Sequence, residues 1–273
     1  MKIMTWNIKG ESSLGWNNTY RIDEDKVERI LSCNADILVL TAFVATVGFD
    51  NLIKSLKEKE YIWFYRTESG DNGIFIAIKE SNDDFKLDLK RLQTKIFAKT
   101  TPKDSNAIYS QNDGSNILKV VVPLQRGKDI VVLGFRMKTG EKGKSLEEQY
   151  DNERIAFERE LLPLITNLNQ EICIVAGDFN NARCLGDLNQ PYNEDDYSGY
   201  AQKGYNLNYI KDVFDENGFV MADNSNGRSM ATHNKFVPDD HIFLRGFSET
   251  KVAKVEEVGN LSDHDIVLVD VKI

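Results

Sequence analysis

Cysteine, histidine and proline are scarce in this chain of 273 residues, with 3, 3 and 5 copies. The cysteines, Cys33, Cys173 and Cys184, are too few and too scattered for a disulfide framework, and none has a zinc-type spacing. Cys33 and Cys173 stand in apolar runs and read as core residues, so a reducing cytoplasm is the expected setting. No stretch approaches the roughly 18 apolar residues that span a bilayer, and no membrane partner is expected. The first residues, Met1 to Asn7, read as a structural strand and not as a signal peptide. A positive excess is also missing. The net charge of -9 excludes a generic basic nucleic-acid coat. It does not exclude a nuclease, because part of the acidity can belong to a metal site.

One segment runs against that charge: Lys86, Lys90, Arg91, Lys95, Lys99 and Lys103, with few acids between them. Two readings stand, a phosphate-steering surface and a hairpin edge protected by lysines.

What is present is an even mixture of helix and strand patterns with no internal sequence repeat and no linker, consistent with one domain over 1–273. Apolar residues at helical spacing predict helices over 23–33, 51–60, 146–167 and 209–217. Pro163 should kink the third or restart it, and Gly218 should cap the fourth. Strands are expected over 2–8, 36–41, 61–66, 73–79, 118–123, 130–137, 172–178, 241–244 and 266–273. Several are apolar on both faces, as in Ile37-Leu38-Val39-Leu40 and Ile172-Cys173-Ile174-Val175, which implies sheets covered on both sides. Successive strands without an intervening helix imply hairpins. Two mixed, mostly antiparallel sheets packed face to face with helices outside is the economical arrangement. The stretch 181–205, rich in Asn, Asp, Gly and Tyr, reads as a long rim loop. Trp16 and Asn17 follow the first polar motif and are candidates to touch a ligand or simply to face solvent.

The polar residues that matter sit where apolar runs end: Thr5-Trp6-Asn7, Gly177-Asp178-Phe179-Asn180, Asp239-Asp240-His241 and Ser262-Asp263-His264. Asp178 and Asn180, two apart in an extended chain, point the same way while Phe179 packs behind. A carboxylate at a low-dielectric strand end favours cation binding or activation of a water; a simple turn explains the tetrapeptide alone equally well. Asp263 offers a carboxylate for a hard cation. Asp240 suits the role of orienting His264, fixing its tautomer and raising its pKa so that the imidazolium can face a phosphate.

Taken together, these stretches resemble the endonuclease/exonuclease/phosphatase superfamily, in its order and rough spacing over nearly the whole length. The resemblance implies a four-layered α/β sandwich and magnesium-dependent phosphoester hydrolysis, with manganese a possible substitute and nucleic acid the expected substrate. It implies Asn7 and Asp263 as metal-site residues and Asp178 as the group that positions or deprotonates the attacking water. Asn180 would hold water or phosphate, and His264 with Asp240 would stabilise transition-state charge.

Two departures stand out. The family's strand equivalent to Leu38-Val39-Leu40 runs into a metal-binding Glu, and here that position is Ala42. Magnesium usually keeps only one or two protein carboxylates, so losing one should impair binding severely. An engineered inactivation and a natural pseudoenzyme both explain Ala42; the intact remaining set favours the first. The second departure is Arg136, with Lys138 beyond it, where relatives often place His or Tyr against the scissile phosphate. A guanidinium can clamp phosphate but cannot trade protons; a surface arginine at a strand end is the plainer reading. The expectation is therefore a metal-dependent phosphodiesterase, most simply a nuclease, in inactivated form. The alternatives are a phosphatase or phosphodiesterase on a small or lipid-linked phosphate, or a non-catalytic module binding nucleic acid or protein.

Overall fold

A computed structural model describes residues 1–8, 22–43, 45, 48–66, 73–82, 85–92, 116–125, 127–137, 146–181, 205–223, 232, 238–250 and 252–273. Trp16, Asn17, Lys95, Lys99, Lys103, Lys138, Cys184 and most of the 181–205 stretch lie outside these residues.

The element order is β1 (Lys2–Asn7), α1 (Glu24–Ser32), β2 (Ile37–Phe43), α2 (Phe49–Glu58), β3 (Tyr61–Arg66), β4 (Gly73–Lys79), β5 (Asn116–Pro123) and β6 (Asp129–Arg136). It continues with α3 (Leu146–Ala156), a π-helical turn (Phe157–Leu161), α4 (Leu162–Thr166), β7 (Ile172–Asp178), α5 (Leu207–Glu216), β8 (Val220–Met221), β9 (Asp240–Arg245), β10 (Glu249–Thr250), β11 (Lys254–Glu256) and β12 (Ile266–Lys272). Asp23 caps α1 by accepting from Lys26 N, and Asn206 caps α5 by accepting from Tyr209 N. The expected break near Pro163 is a π-helical turn followed by a restart, with the proline in the first turn of α4, where its missing N–H costs no hydrogen bond. Gly218, at φ +74, closes α5 as expected.

One sheet runs β10-β12-β1-β2-β4-β3 with β11 also on β12; the other runs β5-β6-β7-β9-β8. Among the described residues, β1/β2 and β6/β7 are the parallel pairs, and the other pairs are antiparallel. The two sheets share one wiring. In β1-α1-β2-α2-β3-β4 and in β6-α3/α4-β7-α5-β8-β9, a parallel pair is followed by an antiparallel hairpin that inserts its second strand beside the pair. This repeat is absent from the sequence as a repeat.

Strand alternation sorts the core into three apolar zones. Ile3, Ile37, Val39, Ile76, Val132, Ile174 and Ile242 meet between the sheets. Met4, Trp6, Leu38 and Leu40 face the α1/α2 side with Val27, Ile30 and Leu52. Val131, Leu133, Cys173 and Val175 pack with Phe157, Ile165, Ile210 and Phe214 on the α3–α5 side. The layers are therefore helix, sheet, sheet, helix, the expected sandwich. The short strands β8, β10 and β11 escape sequence reading because two or three residues carry no alternation; they exist only as edge pairings.

Candidate active site

The alternation that builds the inter-sheet core also builds the site. Asn7 continues the inward set of Ile3, and Arg136 that of Ile130 and Val132. Asp178 continues that of Ile172 and Ile174, and Asp240 begins the set of Ile242 and Leu244. All four lie at one end of the sheets, since Arg136 pairs with Asp178 and Asp178 with Asp240 in register. Where the apolar interior reaches its rim, the same inward positions turn polar. Gly177 makes this rim possible: at φ +146 it brings β7 against β6, and a Cβ there would lie 1.9 Å from the Phe135 carbonyl oxygen.

The side chains are tied to one another. Asn7 Nδ2 donates to Asp178 Oδ2 at 2.8 Å, joining the two sheets. Arg136 Nε approaches the same oxygen at 3.4 Å, and the Asn180 backbone N–H donates to Asp178 Oδ1 at 3.0 Å. Asn180, at φ +48, gives Nδ2 to the Met137 carbonyl at 2.7 Å. His264 Nδ1 lies 2.7 Å from Asp240 Oδ2, and Asn7 Nδ2 lies 3.3 Å from His264 Nε2. Backbone ties hold the frame. Ser262 Oγ donates to the Asn7 carbonyl and accepts from His264 N, while Trp6 Nε1 donates to the His264 carbonyl. Asp178, Asp240, Asn7 and His264 are all buried.

Burial opposes charge on His264, yet the Asp240 carboxylate, its hydrogen bond, and then Asp178 and Asp239 outweigh that and lift the imidazole to about 10. Burial in turn pushes the Asp240 carboxyl up, against the pull of the His264 charge and its hydrogen bond, and the raised imidazole favours the imidazolium in this pair. His241 behaves in the opposite way: burial drives it down to about 4, only partly offset by a hydrogen bond to the Pro238 backbone. Its ring packs against Phe179 and Phe243 on the helix side, with Nε2 2.8 Å from Asn181 Oδ1. The two histidines in acidic triplets therefore part ways, one in the site and one in the wall behind it.

Asp178, Asp240 and His264 each bring a ligand atom within 4.8 Å of the others. His264 Nδ1 and Asp240 Oδ2 are already committed to each other, so a cation that took either of these two atoms would have to break the His264–Asp240 pair. Asp263, half-buried beside His264, and the Asn7 amide add oxygen donors of the kind that hard cations take.

Ala42 stands at a bulge. The β2–β4 register shifts between Thr41 and Phe43, and Ala42 adopts φ +50. Val39 faces the inter-sheet core and Phe43 the helix side, so alternation breaks across Ala42. Thr41 is the register partner of Asn7, which puts position 42 at the same rim with only a methyl to offer.

Thr232 and Ser262 belong to the hydrogen-bond frame, and the sequence carried no signal for Thr232, a lone hydroxyl outside every motif. The basic segment does not reach the rim where it is described. Lys86, Lys90 and Arg91 sit by Leu124 and Asp129, at the end of β5 and β6 away from Arg136. An open, charged depression lined by Lys2, Asp36, Lys79 and Asp270 also lies at the far end of its sheet.

A model of the endonuclease/exonuclease/phosphatase family matches residues 4–264. No curated protein matches the sequence. Among solved structures, the chain is similar in fold to truncated TDP2 of Caenorhabditis elegans, with TM-score 0.58, 13% identity, and coverage of 100% of this chain and 97% of that one. The human Nocturnin catalytic domain with bound sulfate gives 0.59, 17%, 100% and 94%. An AP endonuclease from Archaeoglobus fulgidus gives 0.57, 14%, 100% and 100%. The match over nearly the whole sequence and a sandwich rim that gathers the separated motifs lead to one conclusion: the chain belongs to the endonuclease/exonuclease/phosphatase family.

Proposed function

We propose that this chain carries the site of a divalent-metal-dependent phosphodiesterase acting on nucleic acid, disarmed at position 42. The observation that supports it most is the convergence of Asn7, Asp178, Asp240 and His264 from four distant segments at one buried rim. Nucleic acid is favoured over a lipid-linked phosphate because a protein of like fold is an AP endonuclease.

The donor chemistry fits a hard cation in kind but falls short in number. Asn7 and Asp263 would hold it through oxygen, and Ala42 contributes nothing where the family places a Glu. When bound, magnesium or manganese would supply charge neutralisation at the phosphate. The protein's own groups do the rest. Asp178, fixed by Asn7, Asn180 and Arg136, orients the attacking water and takes its proton as the water oxygen bonds in line to phosphorus; the opposite P–O ester bond breaks and its electron pair leaves on the departing oxygen, which takes a proton to leave as an alcohol. His264, charged and aligned by Asp240, donates from Nε2 to the phosphate oxygen on which charge grows. Arg136 neutralises the same oxygens, and Asn180 holds water or phosphate beside Asp178.

A second reading is favoured by Ala42 itself: a cleft that holds nucleic acid without cutting it. Hydrolysis of single- and double-stranded DNA, RNA and bis-p-nitrophenyl phosphate by this chain and its Ala42→Glu form, with magnesium or manganese, separates the readings. The main proposal expects the Glu form to cut a polymer and to lose that activity with EDTA. Binding of a polymer without cleavage by either form supports the second reading. Cleavage of the small ester alone moves the substrate to a small phosphoester.

A further inference from the structure

Asp240 takes both of its side-chain donors on one oxygen. His264 Nδ1 and Thr232 Oγ1 approach Oδ2 at 2.7 and 2.8 Å, while the buried Oδ1 has no hydrogen-bond partner. Thr232 is fully buried. A threonine hydroxyl has one proton and two acceptor lone pairs. Here both lone pairs receive backbone N–H groups, from Asp239 at 3.2 Å and Asp240 at 3.0 Å. The single proton is thereby directed at Asp240, because the acceptor side of the oxygen is taken.

The Thr232 backbone makes the second tie. Its carbonyl accepts from Asp265 N at 2.6 Å, immediately after His264. One residue therefore grips the start of β9, which carries Asp240, and the segment before β12, which carries His264. The loss of either grip would remove one of the ties that set the 2.7 Å contact.

We propose that Thr232 is a positioning residue for the His264–Asp240 pair, holding the carboxylate rotamer so that Oδ2 faces Nδ1 and the imidazole keeps Nε2 toward Asn7 and Asp178. It acts through Asp240 and touches no substrate. This rests on the reading of His264 as the charge-stabilising group, but its test does not require turnover, so the two fail separately.

The test is the imidazole Nδ1–H resonance of His264 in the unaltered protein, assigned by its disappearance in His264→Gln, and then followed in Thr232→Val and Thr232→Ser. Val keeps the shape and removes the hydroxyl; Ser keeps the hydroxyl and removes the methyl. The expected result is a downfield, slowly exchanging proton in the parent and in Thr232→Ser, lost or moved upfield with faster exchange in Thr232→Val. A resonance unchanged in Thr232→Val would overturn the proposal, as would its loss in a folded Thr232→Ser. If Val prevents folding, Thr232→Ala removes the same hydroxyl without a methyl against Asp240, and the same two outcomes decide.

Discussion

Asn7 and Asp178, 171 positions apart, meet through a 2.8 Å hydrogen bond that crosses from one sheet to the other at the polar rim. Both side chains are buried, so the amide is a donor that solvent does not replace. Removing it in Asn7→Ala leaves a buried carboxylate oxygen with only the more distant Arg136 Nε nearby. A loss of about 1.5–3 kcal/mol is expected, the range for hydrogen bonds to charged groups. Urea denaturation of the variant checks it; an unchanged midpoint would show that the two sheets are not coupled at this point.

Asp240 should control the charge of His264. In Asp240→Asn, the ring loses its largest counter-charge and only Asp178 and Asp239 remain to oppose burial, so the imidazole titration should fall well below about 10. The sign of the linkage follows. A raised histidine stabilises the fold fully below about pH 6.5, and that contribution is lost as pH rises toward 10. The variant should lack this alkaline loss and be weaker at neutral pH by about 3–5 kcal/mol, as when one partner of a buried pair is removed. NMR titration of His264 with denaturation at several pH values measures both.

His241 gives the opposite dependence. The folded ring is held at about 4, whereas the unfolded ring titrates near 6.5. The unfolded state therefore takes up a proton first as pH falls. The neutral ring's contribution is complete above about pH 6.5 and declines toward pH 4, by roughly 3 kcal/mol at about 1.36 kcal/mol per pH unit. His241→Gln should flatten the stability profile over that window relative to the parent. Equal slopes in the two proteins would place the ring's charge elsewhere.

Gly177 has no room for a side chain. With a Cβ 1.9 Å from the Phe135 carbonyl oxygen and φ at +146, Gly177→Ala must push β7 off β6 next to Asp178. A destabilisation on the order of 3 kcal/mol or more is expected for such backbone strain. A thermal melt within a degree or two of the parent would contradict this packing.

Much of the architecture is legible in the amino-acid order because long strands bury whole faces. The strands at 61–66, 73–79 and 172–178 coincide with β3, β4 and β7, and the doubly apolar runs forecast sheets covered on both sides. The inward parity of Asn7, Asp178 and Asp240 is equally legible once strands are placed. Three things were not. The bulge at Ala42 extends β2 to Phe43 and breaks alternation, a feature set by the β4 partner and not by local pattern. The shared wiring of the two sheets leaves no sequence repeat, because only the polar or apolar character of each position must recur. Thr232 is a single hydroxyl whose importance exists only through contacts to Asp239, Asp240 and Asp265. Lys86, Lys90 and Arg91 flank the strand end away from Arg136, a placement that charge density along the chain does not encode.

Turnover of bis-p-nitrophenyl phosphate and of a nucleic-acid polymer by Ala42→Glu, with and without magnesium, tests the central claim most directly. The account predicts hydrolysis that requires the ion, exceeds that of the parent by at least about tenfold, the lower range for lost metal-site support, and disappears on adding His264→Ala. A folded Ala42→Glu protein that hydrolyses neither substrate, at any magnesium or manganese concentration, would contradict it.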